Sequence, residues 1–183
     1  MYHKIIRLIF CTYIISGPTG AQQMLIDDFK STQNNQWQFI SDQVMGGVSN
    51  GSLDFIKKDK QSFAHLTGFV STENNGGFLQ FRADVKHLEK NNIQGIYLQV
   101  RGNKEKYYVH LRTGGTLMPW HYYASDFTAD KAWKMIRLPL ESFEPSSGWL
   151  RNSVSAKGIK SLGVVAYGRD HIADIQVGEI GFY

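Results

Sequence analysis

Trp37-Gln38-Phe39-Ile40-Ser41-Asp42-Gln43-Val44-Met45-Gly46-Gly47-Val48-Ser49-Asn50-Gly51 is the stretch on which the reading of this chain turns. It mixes a large aromatic, an acid, a methionine and a glycine pair in a way that neither a helix nor an ordinary strand tolerates. Gly46-Gly47 opens the backbone to positive φ and to close approach. Asp42 is placed to accept hydrogen bonds from nearby backbone N–H groups, as Asp does in turns. Val44, Met45 and Val48 are expected to pin the loop onto a core. A related segment follows at Glu73-Asn74-Asn75-Gly76-Gly77-Phe78, again a glycine pair ending in an apolar anchor. Taken alone, both read as shaped turns between strands.

Outward from that stretch, apolar and polar residues alternate with a period of two, broken by Gly, Asn and Asp. The pattern predicts strands at Leu25–Phe29, Gln38–Ser41, Ser52–Ile56, Phe63–Ser71, Phe78–Asp84, Gln94–Arg101, Lys106–Thr113, Trp133–Leu138, Leu162–Tyr167 and Ile172–Phe182. Only Val85 to Asn91 offers a helical turn or two, so at most one or two short helices are expected. Many short strands separated by turns indicate an all-β, jelly-roll β-sandwich. There is no internal repeat, linker or low-complexity tract, which leaves a single domain.

The clearest register runs from Gln94 to Thr113. A turn at Gly102-Asn103-Lys104-Glu105 would set Val100 against Tyr107, Leu98 against Val109 and Ile96 against Leu111, an apolar face. The opposite face would then carry Tyr97 across from His110 and Gln99 across from Tyr108, with Arg101 and Arg112 at its ends. Gln80 and Arg82 would join it from the preceding strand. Aromatic rings, amides and guanidinium groups on one curved sheet suit a hydroxyl-rich or carboxylate-bearing ligand; the same pattern also fits the wet face of a half-buried sheet. Trp120-His121-Tyr122-Tyr123 forms a second aromatic patch, readable as a stacking surface with Trp120 and Tyr122 as contacts or as a satellite core. Trp37, Trp133 and Phe143 are expected in the core.

At 183 residues and 42% hydrophobic content the chain can bury a sizeable core. Residues 1–21 combine Lys4 and Arg7, an apolar run from Leu8 to Ile15, and small residues before Gln22. That pattern predicts a signal peptide, a mature domain over 22–183, and a periplasmic or secreted location. The apolar run is too short for a stable membrane anchor. Removing those residues leaves 18 Lys+Arg against 16 acids (20 less Lys4 and Arg7) and lowers the net charge to +2. Nucleic acid is therefore not an expected partner. Cys11, the chain's one cysteine, leaves with the same segment.

No His-Glu-x-x-His zinc motif and no glycine-rich phosphate loop occurs, and no catalytic residue is assigned. No cofactor is expected. Calcium is the softer case: Asp28 near the first strand and Glu179 on the last would meet if the terminal strands are neighbours, and otherwise are solvated edge charges.

The chain resembles the thirty-kilodalton complex I intermediate-associated protein family. The resemblance is carried by Trp37, Asp42-Gln43-Val44-Met45-Gly46-Gly47-Val48-Ser49, Gly68-Phe69-Val70-Ser71 and Asn75-Gly76-Gly77-Phe78. Gly95-Ile96, Arg101-Gly102, Tyr107 to Arg112, Trp133, Leu138-Pro139 and Phe143 follow in order. It implies a galactose-binding-like sandwich similar to carbohydrate-binding modules, and structural roles for the Trp37, Asp42, Met45, Gly46, Gly47, Ser49, Asn75, Gly76 and Gly77 set. In mitochondria the family's named member is an assembly chaperone for respiratory complex I. The expected function is a non-catalytic, exported interaction module with a protein partner. The alternative is a carbohydrate-binding module that uses the polar-aromatic face on a glycan. A monomer is expected.

Overall fold

The structure, a computed structural model, describes residues 23–31, 36–58, 61–89 and 92–183. The expected signal peptide over 1–21 lies outside the described residues. Twelve strands are found among the described residues: β1 (Met24–Asp27), β2 (Trp37–Ser41), β3 (Asn50–Lys58), β4 (Gln61–Val70), β5 (Phe78–Asp84), β6 (Gly95–Gly102), β7 (Lys106–Thr113), β8 (Tyr123–Thr128), β9 (Lys134–Pro139), β10 (Glu144–Pro145), β11 (Ile159–Tyr167) and β12 (His171–Phe182). The first sheet runs β3-β4-β12-β6-β9, with β1 also on β12; the second runs β10-β8-β7-β11-β5-β2. Every pairing is antiparallel, as the alternation required. The helical turn expected from Val85 onward is a plain turn, and four 3-10 turns of three or four residues are the helical content of the described residues.

The core lies between the sheets. Leu66, Leu98, Val100, Ile175 and Val177 from the first meet Leu79, Phe81, Val109, Leu111 and Val164 from the second, all fully buried. Trp37 closes one end against Phe29 and Phe81, with ring centroids 5.7 and 5.2 Å away. Asp27, itself buried, accepts the Trp37 indole N–H at 2.8 Å, so the tryptophan enters the core with its polar atom satisfied.

One expectation about the sheets is overturned. β6 and β7 do not form a hairpin: β6 pairs with β12 and β9, and β7 with β11 and β8. The segment between them arches from one sheet to the other. Gly102 and Lys104 give their N–H groups to the carbonyls of Asp130 and Ala129 rather than to each other's strand. Two strands that face each other across a core show the same inward alternation as two that pair edge to edge, so the apolar face was right and the partner wrong. The Tyr107 hydroxyl supports the arch, donating to Asn103 Oδ1 at 2.7 Å and accepting the Asp174 N–H at 2.8 Å. Burial pushes that phenol up to about 12.

The glycine-rich stretch is held by its acid, not by its apolar residues. Val44, Met45 and Val48 are exposed, against expectation. Asp42 is fully buried and accepts four hydrogen bonds: Ser49 N–H at 3.0 Å, Ser49 Oγ at 2.5 Å, Gly77 N–H at 2.5 Å and Phe78 N–H at 3.2 Å. One carboxylate thus binds the Gly46-Gly47 turn to the Gly76-Gly77 turn. Burial raises its pKa, but the hydrogen bonds outweigh it and hold the carboxyl below its ordinary value. Of the first pair only Gly46 has positive φ, at 90°. Gly47 and Gly76 are needed for space instead, because a Cβ at either would overlap the Asp42 carboxylate.

Candidate functional site

The outer face of the second sheet gathers most of the chemistry expected of a site. Alternation along β7 turns Tyr107, Val109 and Leu111 inward and leaves Tyr108, His110 and Arg112 outward. β11 lies between β7 and β5, with Gly163 flanked by His110 and Arg82, and Val165 by Tyr108 and Gln80. Gly163 carries no side chain, so the sheet surface dips between His110 and Arg82. Tyr122, just before β8, lies flat on His110 with centroids 4.0 Å apart and planes 9° apart. Tyr167, the last residue of β11, meets Tyr108, His110 and Tyr122 edge-on at 5.9, 5.6 and 6.2 Å. Four rings from two strands and the segment before β8 therefore form one cluster on an exterior face.

The electrostatics follow from this packing. Burial under Tyr122 lowers the His110 pKa to about 3, so its imidazole is neutral at physiological pH, and its Nε2 has no hydrogen-bond partner among the described residues. Burial, followed by the hydrogen bond to Tyr167, raises the Tyr122 phenol. Burial and the Arg82 charge both lower the pKa of Arg112. Beyond Tyr108 and Tyr167 a depression of about 540 Å3 continues between Lys104, Thr128 and Arg169, where Arg169 is paired with Glu105.

Of the residues singled out in the sequence, Gln80, Arg82, Tyr108, His110 and Tyr122 come together here. Arg112 is on the same face but is committed: its Nη2 donates to the carbonyls of Thr116 and Met118 at 3.0 and 2.9 Å and fixes that loop. Trp120 is an exposed neighbour at the face's end, on a loop whose carbonyl accepts from Ser146 Oγ at 3.0 Å. Tyr123 is core, so the aromatic patch divides between site and interior.

Tyr97 and Gln99 do not belong to this face. With β6 in the other sheet they lie on the opposite side of the molecule, where Tyr97 is buried and hydrogen-bonded to Glu179, its phenol pushed up to about 12 mainly by burial. Trp133, expected in the core, is half-buried outside the first sheet. Tyr167 was missed, although an aromatic closing a buried strand before Gly168 was its available signal. Asp28 and Glu179 do line one groove, as neighbouring terminal strands allow. Asp28, however, spends its carboxylate on Lys30, with Nζ at 2.7 Å, and among the described residues no group of three His, Cys, Asp or Glu converges.

Gly47-Val48-Ser49-Asn50-Gly51 also spells the Gly-x-Ser-x-Gly spacing of a hydrolase nucleophile. Ser49 is fully buried at the entry to a strand, donates to Asp42 and accepts the Ser71 N–H at 2.9 Å. Its hydroxyl is structural.

The profile of the complex I intermediate-associated protein 30 family matches residues 27–178, most of the chain. The chain belongs to that family. Of the motif residues, Asp42, Gly47, Ser49, Gly76 and Gly77 build the Asp42 latch, whereas Trp37 bonds to Asp27 and Met45 is exposed. No match is found among curated protein sequences. Among solved structures, the chain is similar to the family 11 carbohydrate-binding module from Clostridium thermocellum in complex with a β-1,3-1,4-mixed-linked tetrasaccharide. The TM-score is 0.69 at 14% identity, covering 87% of this chain and 94% of that one. The same family 11 module of the cellulosomal cellulase Lic26A-Cel5E gives 0.70 at 13% identity, over 90% and 95%. An exo-β-agarase gives 0.58 at 6% identity over 90% of this chain and 25% of its own. These likenesses establish the jelly-roll fold that the sequence predicted. Among the described residues no helix is long and apolar enough to cross a membrane.

Proposed function

We propose that the protein is an exported, non-catalytic binding module that holds a stretch of glycan along the outer face of its second sheet. The observation that carries this reading is the cluster of Tyr108, His110, Tyr122 and Tyr167 beside Gln80 and Arg82. The packed rings steady the sheet face and also present flat apolar area to solvent, and a sugar ring offers C–H faces to stack there and hydroxyls for an amide and a guanidinium to grip. Arg112 holds the loop that ends the face, so the binding surface is already shaped before any ligand arrives. The reading is also supported by the fold, which is that of several carbohydrate-binding modules. The signal-like pattern of residues 1–21 supports export.

A second reading, a protein partner in keeping with the family's name, is favoured by a different observation. Leu117, Trp120 and Trp149 are 83%, 59% and 93% exposed on loops joined through Ser146. Such a patch is more apolar than sugar binding needs.

The test is affinity electrophoresis and calorimetry against a panel of neutral β-glucans and galactans. Tyr167→Ala is expected to weaken binding by about ten-fold or more, the worth of one stacking ring. Its melting temperature should stay near the parent's, because Tyr167 is exposed. Unchanged binding in Tyr167→Ala, with loss in Trp149→Ala, would transfer the site to the loop patch.

A further inference from the structure

A groove of about 800 Å3 crosses the outer face of the first sheet, on the side of the sandwich away from the tyrosine cluster. Its centre is Arg101 on β6. The guanidinium lies 5.0 Å from the Trp133 ring and 5.8 Å from the Phe63 ring, and these two rings meet edge-on at 5.9 Å. Arg101 Nε donates to Gln176 Oε1 at 2.6 Å. Among the described residues no carboxylate pairs with Arg101, and neither Nη group has a protein acceptor. Trp133 Nε1 is buried and also lacks an acceptor among the described residues, while the edge of its ring passes over Gly178 in the groove floor.

A guanidinium held by two rings and an amide, with its outer fork free, is pre-organised for a planar two-oxygen acceptor. Little side-chain entropy remains to be lost when one binds. Lys58, exposed and unpaired among the described residues, adds positive charge, whereas Lys30 is taken up by Asp28. The rest of the lining, Gln61, Ser62, Gln99 and Glu179, offers both donors and acceptors, as hydroxyl groups require. The floor strands β4, β12 and β6 each have a neighbour on both sides, so the groove floor offers no free edge to pair with a peptide backbone. We infer that this groove binds an acidic sugar, a uronate whose carboxylate is clamped by Arg101 and whose hydroxyls meet the amides and Glu179. The inference does not depend on the tyrosine face.

The experiment is a titration of the intact 15N-labelled protein with tri-galacturonate, read at the Trp133 indole N–H resonance. A saturable shift is expected with tri-galacturonate and none with the neutral maltotriose at equal concentration. Arg101→Lys, which keeps the charge but loses the fork, should weaken binding by about ten-fold or more. Lys58→Gln, an exposed change that spares the fold, should weaken it several-fold. Tyr167→Ala should leave this titration unchanged, which separates it from the other face. No shift at millimolar tri-galacturonate, or full affinity in both Arg101→Lys and Lys58→Gln, would overturn the inference. An equal response to maltotriose would remove the carboxylate, and a response to hexaglutamate in its place would replace the sugar by an acidic peptide.

Discussion

Asp42→Ala is expected to remove about 3–5 kcal/mol of folding free energy, a large part of what a domain of this size has. The change leaves the N–H groups of Ser49, Gly77 and Phe78 and the Ser49 hydroxyl without their acceptor in a fully buried position. Each orphaned donor costs about 1–3 kcal/mol, of which an entering water recovers a part. Gly47→Ala and Gly76→Ala should approach the same loss by another route, since their new methyl groups collide with the carboxylate. Gly46→Ala, with open space around it and only the backbone strain of φ 90° to bear, should cost about 1 kcal/mol. Urea denaturation measures the order directly. An Asp42→Ala protein within about 1 kcal/mol of the parent would show that the latch is not what holds the two turns.

The second large effect is an acid-side loss of stability that belongs to His110. Its imidazole has an ordinary pKa of 6.5 in the unfolded chain and about 3 in the fold, because burial disfavours the cation. Between those values the unfolded chain carries a proton that the folded one refuses. Stability therefore falls as pH drops from about 6.5 toward about 3, by up to about 1.4 kcal/mol per pH unit from this one group. His110→Phe keeps a ring under Tyr122 and removes both the titration and the unpartnered Nε2. Its stability relative to the parent should rise steadily as pH is lowered from 7 to 4 in paired denaturation curves. A difference that stays flat over that interval would mean that His110 is protonated in the fold and the stack is open.

The fold was legible in the chain because strand alternation survives in a single sequence: both inner faces, Ile96-Leu98-Val100 and Tyr107-Val109-Leu111, could be read from their period. Pairing was not legible, because it depends on which strands intervene, and β11 arrives about fifty residues after β7 to sit between it and β5. β8 was hidden by its polar inward residue, Ser125, which the Ser142 hydroxyl satisfies at 2.8 Å. Trp133 looked like core since nothing local reveals that Arg101, from another strand, covers its face. The site was half legible for the same reason. Tyr108, His110 and Arg82 followed from alternation, while Tyr167 and the removal of Tyr97 and Gln99 followed only from topology. Asp42 was recognised as an acceptor, but two of its four donors lie in the second glycine turn, Gly77 and Phe78, out of reach of any local reading.

The central claim, that a neutral glycan lies across the tyrosine face, is tested most directly by amide and side-chain chemical-shift mapping with a mixed-linkage β-glucan tetrasaccharide. The account predicts saturable shifts concentrated at Gln80, Arg82, Tyr108, His110, Tyr122 and Tyr167, with β3, β4 and β12 silent. Shifts confined to Leu117, Trp120 and Trp149, or to the first sheet, would contradict it.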